Sequence, residues 1–167
     1  QGQSDAWHFL HGAGAIAASG FVSDVEVELG RGLGDYQLPD PQSGDIKKAV
    51  QASIELLGVA PDPVTWPLLA AVFRSVLAEG LPAELCVFVV GPTGTFKTCL
   101  AALCAAHFGR GWTGSNTPAS WSSTANANQA LAYSAKDSLL CVDDWVPGTK
   151  QGDELTMDLL VRSQGNS

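Results

Sequence analysis

Eight consecutive residues, 91–98, have the residue types and spacing of a loop that binds the phosphates of a nucleotide. The general pattern is G-x-x-x-x-G-K-[ST], in which backbone N–H groups surround the phosphates, the lysine reaches the β- and γ-phosphates and the hydroxyl binds Mg²⁺. We predict a catalytic role for Lys97 and a metal-binding role for Thr98. The residues predicted to contact ATP are Gly91, Pro92, Thr93, Gly94, Thr95, Phe96, Lys97 and Thr98.

One position of this loop departs from the pattern, because Phe96 stands where the second glycine belongs. Glycine allows the backbone to approach a phosphate closely, whereas a Cβ atom and a ring restrict both the approach and the dihedral angles. If the backbone of Phe96 is right-handed, any L-residue fits and its N–H still faces the phosphate. On that condition we expect the loop to bind nucleotide; loss of binding is the alternative.

Two adjacent carboxylates end an apolar run further along the chain. The run Ser138 to Val142 is typical of a buried strand, and Asp143 and Asp144 follow it. A carboxylate at the end of such a strand can hold Mg²⁺ beside the loop threonine. We therefore predict that Asp143 binds the metal and that Asp144 acts in catalysis by aligning the attacking water. The alternative is that both aspartates only end the strand as turn residues.

The elements around these motifs predict an α/β fold. Residues Glu84 to Val90 have the apolar, β-branched composition of a strand buried on both faces, and the segment from Lys97 to a stop at Gly109 is typical of a buried helix. Between the motifs we expect a short strand at Ala119 to Ser122 and a helix at Ala125 to Ala135, with Ser123 or Thr124 as its N-cap. This order predicts a three-layer P-loop NTPase sandwich with a mostly parallel sheet, of the type with an additional strand, incomplete on its C-terminal side.

The chain before the loop differs in character and predicts a division into two regions. Residues 1–44 indicate a small β-rich element and a linker, with short strands between glycine turns and a half-exposed strand at Val22 to Leu29. Residues 45–167 would form the P-loop core. Two helices, at Ile46 to Leu57 and at Trp66 to Ala78, precede its first strand.

Composition excludes several classes of function. The net charge of −8 argues against a broad basic face that wraps nucleic acid, although a ring-shaped motor can grip a strand with few basic residues per subunit. No apolar run is long enough to predict a membrane span, and we expect a cytoplasmic protein. Buried thiols in a reducing compartment are favoured over zinc ligands or disulfides. The cysteines are Cys86, Cys99, Cys104 and Cys141.

Several stretches of the sequence together resemble the domain-of-unknown-function family numbered 927, which occurs in bacterial, phage and mobile-element proteins. The resemblance covers nearly the whole chain, and the segment SWSSTAN followed by AKDSLLCVDD carries it most specifically. The stretches are WHFLHGAGAI, YQLPDP, GPTGTFKTCLAALCAAHFG, PASWSSTANANQALAYSAKDSLLCVDDW and RSQGN.

This resemblance implies a P-loop ATPase core related to helicases, in proteins linked to replication of mobile elements. It also implies a further strand with a polar sensor and an arginine finger from a neighbouring subunit. Arg162 is the only arginine after Asp143, and we expect it to have a structural or surface role. We therefore expect this fragment to bind Mg-ATP weakly and to hydrolyse little of it.

Two functions remain open on the sequence. In the first, the full-length protein is an ATP-driven DNA helicase or translocase that contacts DNA and assembles into a homo-oligomeric ring. In the second, it is a nucleotide-gated binding or assembly module that changes shape with ATP and moves nothing. DNA-stimulated ATPase activity separates the two.

Overall fold

The computed structural model describes residues 7–22, 24–30, 32–40, 42, 44–78, 80–81, 86–135, 137–145 and 157–162. Within them the fold is mixed α/β, with a three-stranded antiparallel sheet and a separate pair of parallel strands.

The antiparallel sheet is an N-terminal meander of β1 (His8–His11), β2 (Gly14–Ala17) and β3 (Gly20–Val22). Its central strand pairs with both neighbours, so that Ile16 lies opposite Phe9 on one side and Phe21 on the other. The predicted short strands between glycine turns are confirmed.

The expected strand at Val22 to Leu29 is wrong beyond Val22, because residues 24–30 lie in no strand. The alternating apolar residues reflect packing on one side, where Leu29 joins the core. A strand also needs a hydrogen-bonded neighbour, and none runs beside this segment within the described residues.

Helix α1 (Ile46–Glu55) and α2 (Asp62–Ser75) precede the loop. The Asp45 side chain accepts a hydrogen bond from the backbone N–H of Lys48 and caps α1. Helix α2 begins four positions before the expected Trp66, because Pro63 lies in its first turn, where the missing N–H of proline has no helical partner to lose.

Helix α3 (Lys97–Ala105) begins directly after the predicted phosphate loop and continues as a 3-10 turn, Ala106–Phe108. The predicted stop at Gly109 is confirmed. The Asp35 carbonyl lies where a Cβ atom on Gly109 would stand, so only glycine allows the linker to pass the end of this helix so closely.

Strands β4 (Ala119–Ser120) and β5 (Val142–Asp143) form the parallel pair, and helix α4 (Ala125–Ser134) connects them. Ala119 lies opposite Val142, and Ser120 lies opposite Asp143. Parallel neighbours require such a crossover connection. The strand and helix expected between the two motifs are therefore present, although β4 covers only two of the four expected residues. The strand expected at Ser138 to Val142 is wrong before Val142, because residues 138–141 lie in no strand.

The largest hydrophobic core lies between α2, α3 and the linker that follows the meander. Tyr36 is central to it, since its ring contacts Trp112 at 4.9 Å between centroids. Its hydroxyl donates to the backbone carbonyl of Leu139 at 2.7 Å, and burial raises the pKa of this phenol. Other buried members of the core are Leu33, Leu56, Leu68, Leu69, Val72, Leu100, Cys104, Ala105, Phe108 and Ala135.

The buried strand expected to lead into the loop is not formed over 86–90, which belong to neither sheet. Val90 is 91% exposed and Phe88 56% exposed, and only Val89 of this segment packs against the core. A parallel strand is held by neighbours on its edges, and neither β4 nor β5 pairs with this segment. The expectation of a strand buried on both faces is wrong for these residues; residues 84 and 85 lie outside the described part of the chain.

The prediction that all four cysteines are buried is wrong for two of them. Cys104 is buried and Cys141 is half-buried, but Cys86 and Cys99 are exposed, and all four are free thiols. Cys86 belongs to the segment that forms no strand, and Cys99 lies on the solvent side of α3. Leu103 of the same helix is also exposed, so the apolar composition of α3 does not bury it on every side.

Candidate functional site

The backbone of the loop alternates between left-handed and other conformations just before α3. Gly94 has φ +84° and Phe96 has φ +56°, whereas Thr95 between them is not in the positive-φ region and Lys97 is helical. Successive residues that alternate in this way turn their N–H groups toward one concavity, the nest arrangement that binds anions. The two positive φ angles on either side of Thr95 are compatible with such a concavity; phosphate binding by this loop stays a prediction.

The handedness of Phe96 differs from the condition set on the sequence. Its φ of 56° and ψ of 23° are left-handed, so the condition under which any L-residue would fit at this position is not met. A left-handed residue with a Cβ atom costs roughly 1–2 kcal/mol, which is the physical reason that the general pattern has glycine here. The ring is 78% exposed and does not turn into the core.

Two side chains of the loop donate to the same carbonyl. The Lys97 ammonium donates from Nζ to the Pro92 carbonyl at 2.7 Å, and the Thr95 hydroxyl donates to it at 2.8 Å. The Phe96 carbonyl accepts the first helical bond, from the Leu100 N–H at 2.9 Å. The Lys97 ammonium is thus held against the loop, and its positive charge lies close to the backbone N–H groups there.

The chain that leads to the acidic pair packs along α3. The Cys141 thiol donates to the Ala101 carbonyl at 3.4 Å. Two residues earlier, the Leu139 carbonyl accepts from Tyr36, whose ring lies 6.3 Å from that of Phe108, just past the end of α3. Leu139 is therefore joined to the core through Tyr36, and Cys141 to the middle of α3.

Asp143 ends β5, and among the described residues no hydrogen bond joins it to Thr98 or to the rest of the loop. Burial, followed by the nearby thiol of Cys104 and the carboxylate of Asp143, raises the pKa of Cys141 to about 12. Among the described residues no ion pair joins Lys97 to either carboxylate of the acidic pair.

The two aspartates of the acidic pair have different environments. Asp143 is half-buried in β5, whereas Asp144 is exposed and left-handed, with φ +64°. Aspartate enters this region several-fold more readily than most residues because its short polar side chain can bond locally. Glutamate would be less favourable, so the backbone explains why the shorter acid stands at position 144. The bend also keeps the turn-residue interpretation open.

The polar residues after β4 mainly support local structure. The Thr124 hydroxyl accepts from the Ala127 N–H at 3.3 Å and caps α4, so Thr124, not Ser123, is the N-cap. Ser122 bonds to Ser120 through their hydroxyls at 2.8 Å. The fully buried Asn128 amide donates to the Ser120 carbonyl at 3.0 Å. These bonds favour the capping and turn role over direct ligand contact.

Two tryptophans meet beside the acidic pair, and the sequence prediction missed their contact. Trp121 follows β4 and Trp145 follows Asp144; their ring centroids are 5.2 Å apart at an interplanar angle of 77°, an edge-to-face contact. The backbone N–H of Trp121 also donates to the backbone carbonyl of Asp143 at 2.9 Å. The signal in the sequence is that Trp121 lies near the end of one predicted strand and Trp145 directly follows the acidic pair that ends the other.

Two open cavities lie away from the loop. They have volumes of about 340 and 330 Å³ and share Leu29 and Gly30; the second lies against Leu131 of α4. Neither includes a residue of 91–98 or of the acidic pair. We favour the loop as the candidate site because a phosphate held at a helix N-terminus needs exposed N–H groups rather than a deep cavity.

No protein-family model matches the chain, and neither a curated protein nor a solved structure does. Among the described residues, no helix is both long and apolar enough to cross a bilayer. The same residues contain no cluster of three or more His, Cys, Asp or Glu side chains that could hold a metal. The predicted Mg²⁺ ligands on the protein are one threonine and one aspartate, and such a pair forms no cluster of this kind.

Proposed function

We propose that this chain is an ATP-binding domain of the P-loop NTPase class, with the additional-strand sandwich as its fold. The observation that carries the proposal is the backbone of the loop, which alternates in handedness at Gly94, Thr95 and Phe96 and leads directly into α3. Such a concavity at a helix N-terminus favours a phosphate group through both its N–H donors and the helix dipole.

The residues around this loop suit a nucleotide bound with Mg²⁺. Lys97 already donates to a loop carbonyl, and a phosphate oxygen would compete for the same ammonium. Thr98 and Asp143 offer hard oxygen ligands, the type that Mg²⁺ prefers. When bound, the metal would neutralise charge on the phosphates. Asp144, exposed at its bend, would orient or deprotonate water.

The wider function that we propose is an ATP-dependent DNA helicase or translocase linked to mobile-element or phage replication. Its support is the resemblance carried by the loop, the acidic pair and the segment between them. Contact with DNA and assembly into a ring would belong to the full-length protein.

The charge of the chain favours a second candidate. The nine lysines and arginines against seventeen acidic residues disfavour contact with a polyanion. A nucleotide-gated assembly module needs no such contact. Single-stranded DNA should accelerate ATP hydrolysis by the full-length protein if it is a motor, and should leave the rate unchanged if it is a switch.

Calorimetric titration with Mg-ATP tests the proposed site. We expect Lys97→Ala to weaken binding about tenfold or more, since it removes the only charged side chain of the loop. Lys47→Ala is the matched control, because it removes the same charge from an exposed position on α1, and its affinity should stay within about twofold of wild type. Equal affinities for wild type and Lys97→Ala would show that the loop does not bind the phosphates.

A further inference from the structure

We infer that Trp121 is a positioning residue for the acidic pair, acting through its backbone on Asp143 and through its indole ring on Trp145. The inference rests on the proposed function, since it concerns the carboxylates of the same site. It adds a role that neither the phosphate-loop pattern nor the acidic motif contains.

Trp121 holds the acidic segment on both sides of Asp144. On the Asp143 side, the backbone N–H of Trp121 donates to the backbone carbonyl of Asp143 at 2.9 Å. This bond extends the pairing of β4 with β5 by one residue. After Asp144, the Trp121 ring meets the Trp145 ring edge to face at 5.2 Å. Asp144 is therefore the single residue between two attachments to the same partner.

The conformation of Asp144 needs such attachments. Its φ of +64° is left-handed, and a residue with a Cβ atom keeps that conformation only where its surroundings impose it. Asp144 itself is exposed and makes no described side-chain hydrogen bond, so its own contacts do not supply the constraint. The neighbouring bonds of Asp143 and Trp145 to Trp121 do.

The position of Ser120 adds to the same arrangement. Its carbonyl accepts from the buried Asn128 amide at 3.0 Å, which attaches the end of β4 to α4. Trp121 thus follows a strand end that is hydrogen-bonded to α4. Cys141, the residue before β5, is hydrogen-bonded to α3. The two tryptophans join these strand ends, and loss of either ring would remove the attachment on the Trp145 side of the acidic bend.

Displacement of the bend would affect metal binding more than phosphate binding. The phosphate loop lies on α3 and shares no described hydrogen bond with either tryptophan, whereas Asp143 is bonded to Trp121 directly. Asp143 is a proposed Mg²⁺ ligand, and Mg²⁺ binds well only where its oxygen ligands have nearly octahedral geometry. We therefore expect the rings to control the part of ATP affinity that depends on Mg²⁺.

Hydrogen exchange in the protein without nucleotide tests the positioning itself. Trp145→Leu leaves the Trp121 N–H in place but removes its ring partner, so this amide should exchange at least about fivefold faster than in wild type. The control is Trp66→Leu, which truncates a tryptophan that is 57% exposed on α2; it should leave the rate unchanged. An unchanged rate in Trp145→Leu overturns the inference whether or not ATP binds.

ATP titrations with Mg²⁺ and with a chelator test the consequence for the site. In wild type, Mg²⁺ should tighten ATP binding about tenfold or more; in Trp121→Leu and in Trp145→Leu this gain should fall below about twofold, with unchanged affinity in chelator. The double variant should lose no more than either single one, because both remove the same contact, and Trp121→Phe should retain most of the gain.

The outcomes separate the inference from the proposed function. If wild type binds no ATP, the proposed function fails, and the exchange rate of the Trp121 amide still decides whether the ring pair holds the acidic segment. If wild type shows the Mg²⁺ gain and both leucine variants keep it, the proposed function stands and the positioning role is refuted. Additive losses in the double variant would also refute it, because the rings would then act separately.

Discussion

Replacement of Phe96 by glycine should stabilise the protein, although it deletes a large aromatic side chain. The left-handed backbone at Phe96, with φ +56°, costs roughly 1–2 kcal/mol in a residue with a Cβ atom. Glycine relieves that strain but loses more conformational entropy on folding, roughly 0.5–1 kcal/mol relative to alanine. The ring is 78% exposed, so its removal forfeits little buried area. We expect a net gain of about 0.5–1 kcal/mol in the free energy of unfolding.

Urea denaturation of matched variants measures this gain. Phe96→Ala removes the ring but keeps the Cβ atom, so its stability should stay close to wild type, which separates strain from ring contacts. Tyr133→Gly also removes an exposed aromatic ring, 80% exposed, from the right-handed helix α4, and it should destabilise by about 0.5 kcal/mol. If Phe96→Gly destabilises as much as Tyr133→Gly, the left-handed strain assigned to Phe96 is refuted.

Three further predictions concern other parts of the structure. Asp144→Asn should keep the free energy of unfolding within about 0.5 kcal/mol of wild type, because asparagine also tolerates left-handed backbone. ATP hydrolysis by the full-length variant should fall by about a hundredfold or more. Retained hydrolysis would exclude Asp144 as the water-aligning residue. Nδ1 of the buried His11 ring accepts hydrogen bonds from two backbone N–H groups, and burial lowers the pKa of this imidazole. The free energy of unfolding should be constant above pH about 6.5 and fall below it, because the unfolded chain binds the proton more readily. His11→Gln should flatten that part of a pH series measured by urea denaturation. Tyr36→Phe should cost about 1–2 kcal/mol in the same assay, since it leaves the Leu139 carbonyl without its 2.7 Å donor, and the exposed control Tyr133→Phe should cost less than about 0.5 kcal/mol.

Local signals in the sequence predicted most of the helical structure. The start of α3 at Lys97, the stop at Gly109 and the threonine cap of α4 depend on residues within one or two turns of each other. The glycine turns of the N-terminal meander are equally local. Residue types alone also predict a phosphate-binding loop at 91–98, because such a loop works through the backbone N–H groups of consecutive residues; this stays a prediction.

Features that depend on distant partners were not predictable in this way. The apolar run ending at Val90 has strand composition, but strand formation depends on a neighbour elsewhere in the chain, and 86–90 have none among the described residues. The left-handed backbone of Phe96 depends on the loop as a whole, and its one signal in the sequence is that the general pattern has glycine at this position. The Trp121 and Trp145 contact joins two strand ends that become neighbours only when β4 pairs with β5.

Backbone amide NMR with Mg-ATP tests the central claim most directly, because it locates the bound phosphates residue by residue. The account predicts that the largest shifts fall on the amides of 94–98, that smaller ones reach Asp143 and Asp144, and that Lys97→Ala removes both sets at the same ATP concentration. Largest shifts instead at Leu29, Gly30 and α4, around the two cavities, would contradict it, as would a wild-type spectrum that ATP leaves unchanged.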